Sequence, residues 1–196
     1  PHCAPHRFTT RRSSAGEARD LTHRPAPNRQ TGSVTTPTPT PFDLLVVCTG
    51  NICRSPAVER LLTAGLGPDS GVRVHSAGTS AVVDDPVSAP MAALITTAGA
   101  DAGRFAARQL TASMVREAEL VLALTRAHRS LVVELHPAAV RRTFTLRELA
   151  RLAAGVDPAA LPAGAPAERL AALLPLAAAE RGRHIVQPAE DDVRDP

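Results

Sequence analysis

The feature that most constrains the fold is an apolar run at residues 44–47, Leu-Leu-Val-Val, followed at once by a short polar loop and a helix-like segment. Such a run is typical of a strand that is buried on both faces of a parallel sheet. After the loop at residues 48–54, apolar residues recur at helical spacing as far as Leu66, and Gly67 favours an end there. Ser55 and Pro56 are expected to supply the N-cap and a first-turn proline. The sequence therefore predicts a strand, a tight loop and a helix in succession.

The same alternation of short apolar runs and amphipathic segments continues along the chain. Three further strands are predicted, at residues 72–74, 120–124 and 143–146. Helices are predicted at residues 90–98, 126–135, 147–152 and 168–181, and loops at residues 155–165 and 187–196. Repeated βα units of this kind favour the α/β class, with an open parallel sheet.

The first 41 residues differ in character from the rest of the chain. They are rich in Pro, Thr, Ser and Arg and lack apolar periodicity, so a disordered basic tail is predicted at residues 1–41. Six arginines against Glu17 and Asp20 give this segment a charge of +4, which leaves −1 for residues 42–196 of a chain whose total is +3. The basic character belongs to the tail, and one domain is expected at residues 42–196.

Composition excludes several classes of function. The near-neutral body and four phenylalanines give no basic surface interleaved with stacking residues, so no nucleic-acid partner is expected. No run of 18 apolar residues and no apolar signal-peptide core are present, so no membrane association is expected. The cysteines, Cys3, Cys48 and Cys53, are too few for a disulfide scaffold and favour a cytoplasmic protein.

The histidines do not suggest a metal site or a catalytic base. His75 is expected at a strand end, whereas His128 and His136 flank a predicted helix and are expected in solvent. No H-x-x-H pair or Cys/His cluster occurs, so neither a metal nor another cofactor is predicted.

The loop after the first strand carries the chemistry. Cys48 lies at the predicted end of that strand and Arg54 at the entrance to the helix, the edge of an α/β sheet where ligands bind. Backbone N–H groups and a helix N-terminus there form a cradle for an anion. The same groups favour a thiolate, which is the nucleophilic form of cysteine. Arg54 offers a planar fork for two phosphoryl oxygens.

The remaining loop residues have supporting roles in this interpretation. Gly50 is expected to allow a positive φ or a close approach to the ligand, and Asn51 to hydrogen-bond within the loop. Ser55 Oγ is expected to donate to the Cys48 sulfur. The predicted substrate-binding residues are Thr49, Gly50, Asn51, Ile52, Cys53, Arg54 and Ser55.

Residues 48–56 resemble the C-x-G-N-I-C-R-S-P loop of the low-molecular-weight protein tyrosine phosphatase family, in its bacterial form. Residues 76–79 resemble the family's S-A-G-T element and residues 107–110 its A-R-Q-L element, so the similarity extends over about residues 42–196. The resemblance implies a three-layer αβα fold around a four-stranded parallel sheet. It also implies a phosphatase that hydrolyses phosphomonoesters through a cysteinyl-phosphate, with catalytic residues at Cys48 and Arg54.

The family also uses an aspartate in an Asp-Pro pair as general acid and then as base. Asp195, before Pro196, matches that pair, and Asp192 is the fallback. Family members continue beyond it with aromatic residues and a final helix, whereas the sequence ends at Pro196, so the fold is expected without that helix.

Two departures from the family limit the inference about substrate. The chain contains no tyrosine or tryptophan, and residues 80–83 are Ser-Ala-Val-Val where the family often has an aromatic. The expected partner is therefore a phosphorylated protein, with phosphotyrosine implied by the resemblance alone, or a small phosphomonoester. A family histidine that braces the loop asparagine aligns with Phe105, so Ser76 is expected to support Asn51 instead.

The sequence leaves two alternative functions open. Arsenate reductases of one lineage share the loop, but no cysteine follows Cys53, so arsenate reduction would need an external low-molecular-weight thiol. A phosphate-binding module without catalysis is the other alternative. A disulfide between Cys48 and Cys53 that protects the nucleophile from oxidation is a further hypothesis.

Overall fold

A computed structural model describes residues 40–183 and 187–196. The basic tail predicted at residues 1–41 lies outside the described residues except for its last two positions. Cys3 also lies outside the described residues.

The core of the fold is a four-stranded sheet with the strand order β2-β1-β3-β4. Every pairing is parallel, which confirms the prediction. The strands are β1 (Phe42–Cys48), β2 (Val72–Gly78), β3 (Leu120–Ala123) and β4 (Thr143–Thr145). Cys48 is opposite Gly78 and Val47 is opposite Ala123, so β1, β2 and β3 end at the same edge of the sheet.

Six α-helices connect or follow the strands in the described part of the chain. They are α1 (Arg54–Leu66), α2 (Ala89–Thr97), α3 (Ala112–Glu117), α4 (Arg126–Leu135), α5 (Leu146–Ala154) and α6 (Pro166–Glu180). Short 3-10 segments lie at Pro68–Ser70, Pro137–Arg142, Pro158–Ala160 and Pro188–Asp191. None of these described helices combines the length and the apolar character that crossing a bilayer requires.

The side chains of β1 alternate between two hydrophobic clusters, one on each face of the sheet. Leu44 and Val46 pack with residues of α1, α5 and α6, whereas Leu45 and Val47 pack with residues of α3 and α4. All seven residues of β1 are buried. Each fully buried Leu or Val contributes roughly 1.5–3 kcal/mol to stability. Two helical layers thus enclose the sheet, as the three-layer prediction requires.

β2 is longer than the sequence indicated. The predicted strand ends at Val74, but the strand continues to Gly78 because it pairs in register with the whole of β1. His75 therefore lies inside β2, where its Nε2 atom contacts the carboxylate of Asp43, and not at a strand end. Pairing with a buried neighbour outweighs the weak strand propensity of Ser and Gly.

The start of α1 also differs from the prediction. The helix begins at Arg54 and its N-cap position is Cys53, whose side chain makes no capping hydrogen bond. Ser55 is inside the helix, with its hydroxyl directed to the loop, so the assignment of Ser55 as N-cap was wrong. The short helix α3 was not predicted, although Thr111 Oγ1 accepts a capping hydrogen bond from Met114 N at 3.3 Å.

Candidate active site

The polar loop lies where the sheet ends and α1 begins. β1 ends at Cys48, α1 starts at Arg54, and residues 49–53 make the turn between them. Cys48 is buried, with 3% of its surface exposed. The C-terminal ends of β2 and β3 flank the loop on either side.

The carbonyl oxygens of the loop face outward and bond to the chain that follows β2. The pairs are Cys48 O with Thr79 N at 2.9 Å, Thr49 O with Ser80 N at 3.0 Å, Gly50 O with Val82 N at 3.0 Å and Ile52 O with Ser88 N at 2.7 Å. In a planar trans peptide the next N–H group points the opposite way from the carbonyl. The N–H groups that follow these carbonyls therefore face the interior of the loop, which is the arrangement of an anion cradle.

One glycine is required by this close approach. A Cβ atom added at Gly78 would collide with the Thr49 carbonyl oxygen and would come within 3.0 Å of the Cα atom of Ala81. The end of β2 can therefore lie beside the loop only because residue 78 has no side chain.

The Cys48 sulfur has a hydroxyl partner inside the loop. Its Sγ atom lies 2.9 Å from Ser55 Oγ, and both residues are buried. Ser55 lies in the first turn of α1, which follows the loop that starts at Cys48. The distance is that of a hydrogen bond, which is the contact expected from the sequence.

Asn51 is the most constrained residue of the loop. It adopts the left-handed conformation with φ at 56°, whereas Gly50 does not have a positive φ, so of the two roles expected for Gly50 only the close approach to the ligand is left. Asparagine tolerates this conformation better than most residues. The buried Asn51 amide donates to Ser55 Oγ and to Ser76 Oγ, each at 2.8 Å, and accepts from Arg108 N at 2.8 Å.

Phe105 is not among the partners of Asn51. It packs in the cluster of α2, and the guanidinium of Arg60 lies over its ring at 5.5 Å from the ring centre. Ser76 takes the bracing position instead, and its hydroxyl donates to Glu59 Oε2 at 2.6 Å. Glu59 was not predicted to be near the site, because only the fold brings the middle of α1 against β2.

Arg54 pairs with Asp195 across the mouth of the loop. Its Nε atom lies 2.9 Å from Asp195 Oδ1, and its NH1 group donates to Val193 O at 3.3 Å. The Arg54 side chain is 11% exposed, whereas that of Asp195 is 72% exposed. The fold thus brings Asp195, which is far away along the chain, to the loop that carries Cys48 and Arg54.

Asp192, the fallback acid, is held elsewhere. Its Oδ1 atom accepts a hydrogen bond of 2.7 Å from Arg126 N at the start of α4. Next to it, Val193 N donates to Leu124 O at 2.8 Å, which ties this segment to the end of β3. Of the two aspartates, only Asp195 contacts Arg54 in this structure.

His128 is not in solvent, as the sequence had suggested. It is 5% exposed, and its ring nitrogens lie 2.9 Å from the hydroxyls of Thr49 and Thr125. Burial lowers the pKa of the His128 imidazole from its ordinary value of 6.5, and the nearby Arg54 charge lowers it further. A neutral imidazole therefore links the first residue of the loop to the cap of α4.

We expect the stability of the protein to fall as the pH drops below about 6.5, in part through His128. Its folded pKa is depressed, so the unfolded chain takes up this proton first and unfolding becomes more favourable in acid. His128→Gln should remove this contribution, which is at most about 1.4 kcal/mol per pH unit for one proton. Urea unfolding of the parent and of His128→Gln, at several pH values around 6.5, measures the free energy of unfolding of each protein. Equal slopes of that free energy against pH in the two proteins would contradict the prediction.

The rim of the loop on the β2 side is aliphatic. Val82 and Val83 are exposed, and Val82 lies beside Gly50 through the backbone hydrogen bond already described.

Cys53 is half-buried, and burial raises the pKa of its thiol, an effect that a hydrogen bond to Ser88 opposes. Within residues 40–183 and 187–196, no three His, Cys, Asp or Glu side chains gather as a metal site would require.

Comparison with known sequences identifies a matching family model and several relatives. Residues 43–157 match the family model described as low molecular weight phosphotyrosine protein phosphatase. The chain is 44% identical over 94 residues to the low molecular weight protein-tyrosine-phosphatase Etp of Escherichia coli K12, covering 48% of this chain and 62% of that protein. It thus spans less than two thirds of the length of Etp. A protein-arginine-phosphatase of Geobacillus stearothermophilus is 37% identical over 108 residues, covering 55% of this chain and 71% of that protein.

Comparison with solved structures also identifies phosphatases. The YwlE arginine phosphatase from Geobacillus stearothermophilus superposes with a TM-score of 0.52 at 32% identity, covering 75% of this chain and 99% of that one. The tyrosine phosphatase AmsI of Erwinia amylovora superposes with a TM-score of 0.51 at 28% identity, covering 72% of this chain and 91% of that one. Because the family model covers more than half of the sequence, including the whole loop, the chain belongs to the low molecular weight phosphotyrosine protein phosphatase family.

Proposed function

We propose that the protein hydrolyses phosphomonoesters through a cysteinyl-phosphate on Cys48. The observation that carries this proposal is the position of the buried Cys48 sulfur, at the base of a loop whose N–H groups face inward and 2.9 Å from the Ser55 hydroxyl. A cysteine at such a site is surrounded by groups that favour its thiolate, and the same groups bind a tetrahedral anion. Membership of the family supports the same chemistry.

The contacts of the site support a reaction in two steps. The Cys48 thiolate attacks phosphorus, and the bond from phosphorus to the ester oxygen breaks as the sulfur–phosphorus bond forms. Arg54 holds two of the non-bridging oxygens as the phosphoryl group is transferred. Asp195, once it has taken a proton from solvent, gives that proton to the leaving oxygen and then takes one from the water that hydrolyses the intermediate. In that second step Ser55 stabilises the sulfur as it leaves.

Asp195 must move before this reaction can begin. Its carboxylate lies 2.9 Å from Arg54 Nε, on the side chain that the phosphoryl group would use. A bound phosphate competes for the same guanidinium and repels the carboxylate. Release from Arg54 leaves Asp195 at the mouth of the loop, where the leaving oxygen of a substrate would lie.

The substrate class is a phosphorylated protein side chain or a small phosphomonoester. The names of the relatives include both tyrosine and arginine phosphatases. Phosphotyrosine is the side chain that the names of Etp and AmsI indicate, although Val82 and Val83 provide an aliphatic surface beside the loop where an aromatic would stack on its ring. The cytoplasmic location remains a prediction from the sequence.

The proposal is tested by comparing substrates and by trapping the intermediate. The purified protein is assayed with p-nitrophenyl phosphate, a phosphotyrosine peptide, a phosphoarginine peptide, and arsenate with a low-molecular-weight thiol. We expect hydrolysis of the aryl phosphate, and acid quenching during turnover should leave a phosphoryl adduct that tandem mass spectrometry locates on Cys48. Phosphate binding without turnover of any ester would favour a binding module, and arsenate reduction without ester hydrolysis would favour a reductase. Either result would contradict the proposal.

A further inference from the structure

The loop is held from the two sides of β1 by different kinds of contact. On the side of β2, the backbone carbonyl oxygens of residues 48, 49, 50 and 52 bond to the chain that follows that strand. On the side of β3, where α4 begins, a side-chain contact joins the hydroxyl of Thr49 to the imidazole of His128. Backbone bonds form with almost any side chains, whereas this contact depends on the identity of two residues.

His128 is buried although its partner in the loop is exposed. Only 5% of its surface is accessible, whereas Thr49 lies at the protein surface. Its Nε2 atom lies 2.9 Å from Thr49 Oγ1, and its Nδ1 atom lies 2.9 Å from Thr125 Oγ1. A neutral imidazole has one donor and one acceptor nitrogen, and a hydroxyl serves in either role, so both bonds form at once. Because a buried nitrogen without a partner is costly, these two bonds fix the position of the ring.

The start of α4, which carries His128, is a firm support. Leu124 N, just before the helix, donates to Val47 O at 2.9 Å and joins this point to the central strand. Leu124 O accepts from Val193 N at 2.8 Å, so the same point also holds the segment of the proposed general acid. A side chain on a rigid element positions its partner more precisely than one on a loop. His128 therefore connects Thr49 to a well-anchored part of the fold.

The backbone on either side of the Thr49 side chain contributes to the anion cradle. The N–H group of Thr49 follows the outward carbonyl of Cys48, and that of Gly50 follows the outward carbonyl of Thr49, so both face the interior of the loop. Their directions depend on the backbone dihedral angles of Thr49. A threonine side chain is stiff about χ1, so a bond at its hydroxyl also restricts this backbone. A cradle that is ordered before the anion arrives binds it more tightly, because less ordering opposes binding.

We propose that His128 is a positioning residue for the anion cradle, which bonds to the Thr49 hydroxyl and thereby keeps the first two N–H groups of the loop directed at a bound phosphoryl group. The proposal rests on the proposed function only in taking this loop as the site that binds phosphate. Its test measures the binding of inorganic phosphate and not ester hydrolysis, so the two proposals can fail separately.

The test compares two amides that replace different nitrogens of the histidine. The amide of His128→Gln extends about as far as Nε2 and can still bond to the Thr49 hydroxyl, whereas the shorter amide of His128→Asn lies near the position of Nδ1 and does not reach it. Isothermal titration with inorganic phosphate should give nearly the parent affinity for His128→Gln. For His128→Asn it should give an affinity about three- to tenfold weaker, the effect of one neutral hydrogen bond. His136→Asn, at the other end of α4, is the matched control and should bind phosphate like the parent.

The decisive comparison uses a Thr49→Val background, in which a methyl group of similar size replaces the hydroxyl. Thr49→Val by itself should bind phosphate about as weakly as His128→Asn. Adding His128→Asn to it should cause no further loss, because the bond that this change would break is already absent. Thr49→Ser keeps the hydroxyl and should bind phosphate like the parent.

A role of His128 in packing alone gives a different set of results. Equal phosphate affinities of His128→Gln and His128→Asn, or a loss from His128→Asn that is as large in Thr49→Val as in the parent, would overturn the proposal. If His128→Asn does not fold, the exposed partner decides, and equal affinities of Thr49→Val and Thr49→Ser would overturn it. The expected binding results without hydrolysis of any ester would remove the proposed function and leave this inference standing.

Discussion

Replacement of Cys48 by serine is expected to lower the turnover of p-nitrophenyl phosphate by about 10⁴-fold or more, the scale of losses seen when a nucleophile is removed. A serine hydroxyl at this site is not ionised near neutral pH, so the loop would hold the phosphoryl group with no nucleophile to attack it. Affinity for inorganic phosphate should persist, because the N–H groups of the loop and Arg54 are unchanged. Loss of turnover with retained binding is therefore the expected signature.

Turnover is measured by release of p-nitrophenol, and binding by isothermal titration with phosphate. Cys3→Ser is the matched control, since it makes the same substitution outside the loop and should retain full turnover. If Cys48→Ser kept turnover within about tenfold of the parent, a cysteinyl-phosphate could not be the intermediate.

Replacement of Asp195 by asparagine should have two opposite effects. Turnover should fall by about 10²–10⁴-fold for esters with poor leaving groups, because asparagine cannot protonate the leaving oxygen. Phosphate should bind a few-fold more tightly, since a neutral amide no longer competes for Arg54 through the contact at 2.9 Å. The second effect is expected to be small, because the Asp195 side chain is well exposed and such ion pairs are weak.

These effects are separated by assaying a series of aryl phosphates of increasing leaving-group pKa, together with inhibition by phosphate. The control is Asp192→Asn, which changes the neighbouring aspartate that bonds to Arg126 N instead of Arg54. A larger loss of turnover in Asp192→Asn than in Asp195→Asn would assign the role of general acid to Asp192 instead. Equal turnover of good and poor leaving groups in Asp195→Asn would mean that no proton is delivered from this position.

Much of the fold could be predicted from the sequence, because its local apolar patterns agree with the observed burial. The apolar run at residues 44–47 predicts the centre of β1, and the helical pattern at residues 126–135 coincides with α4. The strand-loop-helix order then places Cys48 and Arg54 at opposite ends of one loop. Such predictions succeed where the side chains that determine an element are neighbours in sequence.

Two of the errors occurred where partners are distant in sequence. His128 has the pattern of a surface residue on an amphipathic helix, but its ring is buried between Thr49 and Thr125. Thr49 is far away along the chain, and only the packing of α4 against the sheet edge brings the two together. Glu59 was overlooked for the same reason, because its partner Ser76 lies on another strand.

The sequence alone determined which groups the loop carries: a cysteine, an arginine and the backbone between a buried strand and a helix. These positions are close along the chain, so local propensities and the direction of α1 are sufficient to orient them. The tertiary structure decided what surrounds the loop. It brought Asp195 to Arg54, Glu59 to the network that ends on Cys48, and His128 beneath Thr49. Those contacts depend on how helices pack on the two faces of the sheet, which is a property of the whole core and of no single segment.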